Sequence, residues 1–130
     1  MSESPALKHP AAKALREAAL AYPGAVEDFP WGDRALKVGK KVFLFLGGNE
    51  EGGFSCSMKL PYRASEALQM KVARPTPYGL GKSGWVSFRF SAKARAPLKR
   101  LIDYLDESWR AIAPKKLSSA HPPPNSKRTP

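Results

Sequence analysis

The stretch Ala35–Lys59, ALKVGKKVFLFLGGNEEGGFSCSMK, constrains the fold more than any other part of the chain. Its three apolar runs are separated by GKK and GGNEEGG, and short alternating runs broken by glycine-rich turns read as an antiparallel β-meander. Leu36 and Val38 share one face of the first strand. The GKK at Gly39–Lys41 closes a tight hairpin in which glycine supplies a positive φ. Val42, Leu44 and Leu46 alternate with Phe43 and Phe45, which makes the second strand apolar on both faces and therefore central. In the third, Phe54, Cys56 and Met58 face one way and Ser55, Ser57 and Lys59 the other. WVSFRF at Trp85–Phe90 repeats the alternation.

Helical patterns flank these runs. AAKALREAALAY after Pro10 carries Ala11, Leu15, Ala18, Ala19 and Tyr22 on one stripe, and Pro23 and Gly24 end it. Near the other end, Leu98, Leu101, Ile102, Leu105, Trp109 and Ile112 form the clearest apolar stripe in the chain. Its outer face mixes Asp103, Asp106 and Glu107 with Lys99, Arg100 and Arg110, which reads as solvation and intrahelical pairing. YRASEALQM is a short helix. AVEDFPWGDR is an edge segment with Val26 and Phe29 as burial candidates and Trp31 placed by a turn. Lys71–Gly84, with two prolines and three glycines, reads as a long connecting loop. The expected class is α+β on an antiparallel sheet.

At 130 residues the chain holds one core. The expected organisation is a flexible N-terminus over 1–10, one α/β domain over 11–113, and a disordered basic, proline-rich tail over 114–130. Lys and Arg number 22 against 11 Asp and Glu, a net charge of +11. The tail contributes Lys115, Lys116, Lys127 and Arg128 without an acid, which leaves +7 on the rest. That balance suits nucleic acid, an anionic membrane or another acidic surface. The opening MSESPALKHP lacks the order of a secretory signal, and no apolar run approaches a bilayer span of about 20 residues. The expectation is a cytoplasmic protein with no membrane association, a monomer by default.

Few residues offer catalysis. The lone Cys56 reads as a buried, unreactive thiol. His9 ahead of the first helix and His121 in the tail are not held as a base would need, and with one cysteine they do not make a zinc site. The neighbouring acids Glu27–Asp28, Glu50–Glu51 and Asp106–Glu107 read as solubilising. GLGKSG at Gly79–Gly84 has the wrong spacing and context for a phosphate-binding loop and reads as a turn into Trp85. No enzyme activity and no cofactor is expected.

If the helices cover one face of the sheet, the other presents Phe43, Phe45, Ser55, Ser57, Lys59, Trp85, Ser87 and Arg89. Aromatics interleaved with cations suit base stacking and phosphate neutralisation. Lys40 and Lys41 at the hairpin tip, with Arg34, Lys37 and Lys82, add backbone contacts. The expected nucleic-acid-binding set is thus Arg34, Lys37, Lys40, Lys41, Lys59, Lys82, Trp85 and Arg89. The plainer reading has the long loop or the Trp31 segment covering Phe43 and Phe45 while the lysines solvate turns. The alternative function is a protein- or small-ligand-binding domain with an aromatic pocket near Trp31 and Trp85.

From Leu15 to Ile112 the chain resembles the MmcQ/YjbR family of small bacterial proteins. The resemblance rests on YPGAVEDFPWG at Tyr22–Gly32, KVGKKVFLFL at Lys37–Leu46, SMKLP at Ser57–Pro61, GLGKSGWV at Gly79–Val86 and LIDYLDESW at Leu101–Trp109, in that order. It implies a two-layer CyaY-like sandwich with the N- and C-terminal helices on one face of the sheet, and a double-wing arrangement for DNA. Frataxin-like iron binding would need an acid-rich first helix, whereas this one carries Lys13, Arg16 and only Glu17.

Overall fold

The computed structural model describes residues 7–28, 34–49, 51–77 and 79–120. Helix α1 (Pro10–Leu20) starts on an unusual cap: His9 Nδ1 accepts from the Ala11 N–H at 3.1 Å. Its Nε2 bonds the Ala94 carbonyl at 2.8 Å, and its ring lies edge-on to Phe54 at 4.9 Å. Within the span 1–10 that was expected to be flexible, Leu7 and His9 are both buried.

Among the described residues six strands follow: β1 (Val26–Asp28), β2 (Arg34–Val38), β3 (Lys41–Gly48), β4 (Phe54–Lys59), β5 (Ala73–Pro75) and β6 (Trp85–Phe90). They form one sheet in the order β1-β2-β3-β4-β6-β5, every pair antiparallel. The hairpin between β2 and β3 turns on Gly39 and Lys40, with φ of +57° and +73°, as a two-residue turn matching strand twist requires.

The segment expected to be a structureless loop supplies β5 and a 3₁₀ turn, Leu80–Ser83. Pro75 is tolerated because β5 is an edge strand, where the missing N–H faces no partner. Val26, expected to be buried, is 56% exposed on the opposite edge. It is Glu27 that turns inward, to Arg16 at 2.7 Å and Arg34 at 3.4 Å.

The long helix α3 (Leu98–Ile112) packs with α1 on one face of the sheet, and α2 (Ala64–Ala67) closes the corner after β4. The core between these layers gathers Leu15, Leu36, Leu44, Leu46, Phe54, Met58, Phe88, Leu101, Tyr104, Leu105 and Trp109, each fully buried or within 1% of it.

Two features of α3 depart from its expected role. Asp106 keeps the expected intrahelical pair, accepting from Arg110 Nε at 2.8 Å, but it is buried and also accepts from Tyr22 Oη at 2.8 Å. Glu107 accepts from the backbone N–H groups of Tyr62 and Arg63 and from Arg63 Nε. Further, the β3–β4 ladder ends at Phe45 opposite Ser57, and Ser108 of α3 bridges the strands beyond. Its Oγ donates to the Phe43 carbonyl at 2.6 Å and accepts from the Lys59 N–H at 2.8 Å.

Beyond Pro114, where disorder was expected, α4 (Lys115–Ser119) forms a last short helix. Arg110 Nη1 donates to the Ser118 carbonyl at 3.0 Å. Leu117 packs beside Gly24, where a Cβ would stand 3.2 Å from Leu117 Cδ1. The rest of the tail lies outside the described residues.

Candidate nucleic-acid interface

Antiparallel register places one row of side chains straight across the sheet on the face away from α1 and α3. Phe45 of β3 stands opposite Ser57 of β4, Ser57 opposite Ser87 of β6, and Ser87 opposite Arg74 of β5. One step along, Ser55 faces Arg89, and at the other end Lys59 faces Trp85. Because Cβ direction alternates along a strand, all of these share the face.

The hydroxyls are joined. Ser57 Oγ lies 2.7 Å from Ser87 Oγ, which lies 2.9 Å from Thr76 Oγ1. Ser57 and Ser87 line a shallow hollow of about 250 Å³ together with Ser55, Val72, Arg74, Pro77, Phe88 and Arg89, and Thr76 reaches it only through Ser87. No carboxylate is among these, and Arg74 and Arg89 are both exposed. Beside the hollow, Phe45 is half-buried with its ring 5.6 Å from that of Trp85, tilted by 51°. Trp85 itself is 8% exposed, so among the described residues Phe45 is the ring this face offers.

The expected set of cations is divided by the fold. Arg89 stands at the hollow. Lys40, Lys41, Lys59 and Lys82 gather at one end of the sheet, where the β2–β3 turn, the end of β4 and the start of β6 meet by strand direction. Lys40, Lys41 and Lys82 are exposed, Lys59 half-buried. Lys37 lies on the open face but is bound to Asp28 at 2.8 Å. Arg34 pairs with Leu46, whose side chain is in the core, and so points to the helical side, where it meets Glu27.

Phe43 is also displaced from the expected face. Leu36 pairs with Leu44 while Lys37 pairs with Val42, which leaves Phe43 as an extra residue in β3. Such a bulge shifts the alternation by one, and the ring turns into the core, fully buried and 6.4 Å from Tyr22.

Arg74 and Thr76 were missed from sequence, because their segment has the composition of a loop. The signal available was the length and basic content of that segment. Trp31, and with it the expected aromatic pocket, lies outside the described residues.

Elsewhere, burial pushes the Cys56 thiol up to about 12. Among the described residues no group of three or more His, Cys, Asp and Glu side chains is placed to hold a metal, and no helix is long and apolar enough to cross a membrane.

Residues 20–111 match the family model described as YjbR. The crystal structure of the Deinococcus radiodurans protein DR2400, which carries the family-model domain DUF419, superposes with a TM-score of 0.66 at 22% identity, covering 88% of this chain and 85% of that one. No curated protein matches the sequence.

Proposed function

Because the chain belongs to the YjbR family, a premise that carries the fold and leaves the ligand open, we propose that it is a non-catalytic module that binds nucleic acid through the open sheet face. The observation carrying this reading is the pair of exposed arginines, Arg74 and Arg89, at a serine-lined hollow with no carboxylate among its described lining residues. Cations left without a nearby acid are available to phosphates, and phosphate contacts position a strand without reading its sequence. In this reading Lys40, Lys41, Lys59 and Lys82 extend the contact along the strand ends, the β2–β3 turn acting as a wing on DNA. Arg34 and Lys37 drop out, their charges being already met within the protein. A cytoplasmic monomer without cofactor completes the reading.

The test is fluorescence anisotropy of labelled oligonucleotides across a salt series, using the full chain. Each phosphate contact contributes about 0.9 to the slope of log K against log salt on duplex and about 0.7 on single strands. Replacing Arg74 and Arg89 together by Gln is expected to weaken binding and flatten the slope by about 1.4 to about 1.8. A Lys127→Gln/Arg128→Gln chain is expected to change it less. Absence of binding at low salt, or loss only in the tail variant, refutes the proposal.

A further inference from the structure

The row of hydroxyls and the ring beside it narrow the ligand further, resting on the nucleic-acid reading above. We infer that the hollow lined by Ser55, Ser57 and Ser87 seats one phosphodiester of an unpaired strand, whose neighbouring base lies on Phe45.

The three hydroxyls of the row, on Ser57, Ser87 and Thr76, carry three O–H donors, and the two contacts along it, at 2.7 and 2.9 Å, consume two of them. One O–H of the row is left over for a further acceptor, and Ser55 adds another hydroxyl to the lining of the hollow. With the guanidinium groups of Arg74 and Arg89 alongside, the described lining of the hollow presents donors in excess and no anionic acceptor. The complement is a group made of acceptors that carries negative charge.

At about 250 Å³ the hollow falls below the range of about 300–1,000 Å³ that encloses whole small ligands. It admits one group of a longer molecule, and a phosphodiester is such a group.

Phe45 decides between strand types. It stands in the same cross-sheet row as Ser57 and Ser87, two strand spacings of about 4.8 Å from the latter. A duplex keeps its base faces stacked on each other and offers phosphates alone. An unpaired strand offers both a phosphate to the hollow and a base face to the ring.

The experiment compares three labelled probes of equal length on the full chain at one salt concentration: oligo-dT, its blunt duplex with oligo-dA, and an abasic strand with the same phosphates and no bases. The expected order is oligo-dT tightest, with the abasic strand weaker by at least about fivefold, the lower end of what one stacked base contributes. Ser87→Ala, which removes the middle hydroxyl without adding bulk, is expected to weaken oligo-dT and the abasic strand alike by several-fold. Phe45→Ala is expected to narrow the gap between oligo-dT and the abasic strand, with near-ultraviolet circular dichroism checking its fold. Equal binding of oligo-dT and the abasic strand, or a duplex bound as tightly as oligo-dT, overturns the inference and leaves the broader reading intact. An unchanged Ser87→Ala overturns the phosphate seat. Failure of all three probes to bind overturns both readings.

Discussion

Ser108→Ala removes a single oxygen and tests how the open face is held in place. That oxygen is fully buried and closes the β3–β4 seam where the ladder has stopped, donating to the Phe43 carbonyl at 2.6 Å and accepting from the Lys59 N–H at 2.8 Å. Alanine strands both backbone groups at once. A buried polar group left unsatisfied costs about 1–3 kcal/mol, so partial re-pairing still leaves an expected loss of about 3 kcal/mol. For a domain of this size that lowers the melting temperature by about 10 °C. Urea denaturation at neutral pH gives the free energy, and amide exchange gives the location. Lys59 should exchange faster than in wild type, while the Cys56 and Met58 amides, within the intact β4–β6 ladder, should respond only through global stability. Ser118→Ala is the control, since its hydroxyl makes a long 3.3 Å bond at the surface and should shift stability by less than about 0.5 kcal/mol. A loss below about 1 kcal/mol for Ser108→Ala, with Lys59 exchange unchanged, would refute the bridge.

Two further outcomes follow from ionisable groups. Hydrogen bonding and charge attraction from Arg16, with help from Arg34, hold the Glu27 carboxyl below its ordinary range despite partial burial. A depressed carboxylate stabilises the fold at pH above its unfolded value, and that contribution is lost as pH falls through the folded value. Wild type should therefore be more stable than Glu27→Gln at neutral pH, and the gap should close below the ordinary glutamate value of about 4.3. A gap that persists unchanged into acid would refute the ion pair's role. Cys56 is buried with its thiol pushed up to about 12. It should react with a thiol reagent at neutral pH only after denaturant is added, and fast labelling of the native protein would contradict its placement.

The meander and the closing helix were legible because their patterns are local. Alternation in Phe54–Lys59 and the stripe Leu101, Leu105, Trp109 state their faces without help from the rest of the chain, and the structure buries those residues. His9 was not legible, since its value as a cap depends on Phe54 and on the Ala94 carbonyl, 85 residues away. The same holds for α3's acids. Asp106 and Glu107 look like a solvated face until Tyr22 and the turn at Tyr62–Arg63 are brought against them. Residues 115–119 have a polar composition that cannot form a core alone, and they are ordered through Leu117 and Arg110, each reaching a neighbour that sequence does not announce.

The open face shows how small an irregularity redistributes candidate function. A strict alternation along β3 assigns Phe43 and Phe45 to the same side. The single bulge residue breaks that parity, sends Phe43 to Tyr22 in the core, and leaves Phe45 as the ring on the sheet's open side. At the other edge, a three-residue strand that ends in proline is enough to carry Arg74 and Thr76 into register beside Ser87. Both effects come from backbone pairing, not from propensity. The residues that survive as a site are consequently those whose register is fixed by two neighbours, Ser57 and Ser87, together with whatever the edge strand brings to them. Releasing β5 from the turn that precedes it while preserving charge, as in Ala73→Pro, should then loosen the edge strand and disperse the hollow even though Arg74 and Arg89 are retained. Ala73 N–H bonds the Met70 carbonyl at 3.0 Å, and proline removes that donor. Oligonucleotide affinity equal to wild type in that variant would show that cation number, not placement, governs binding.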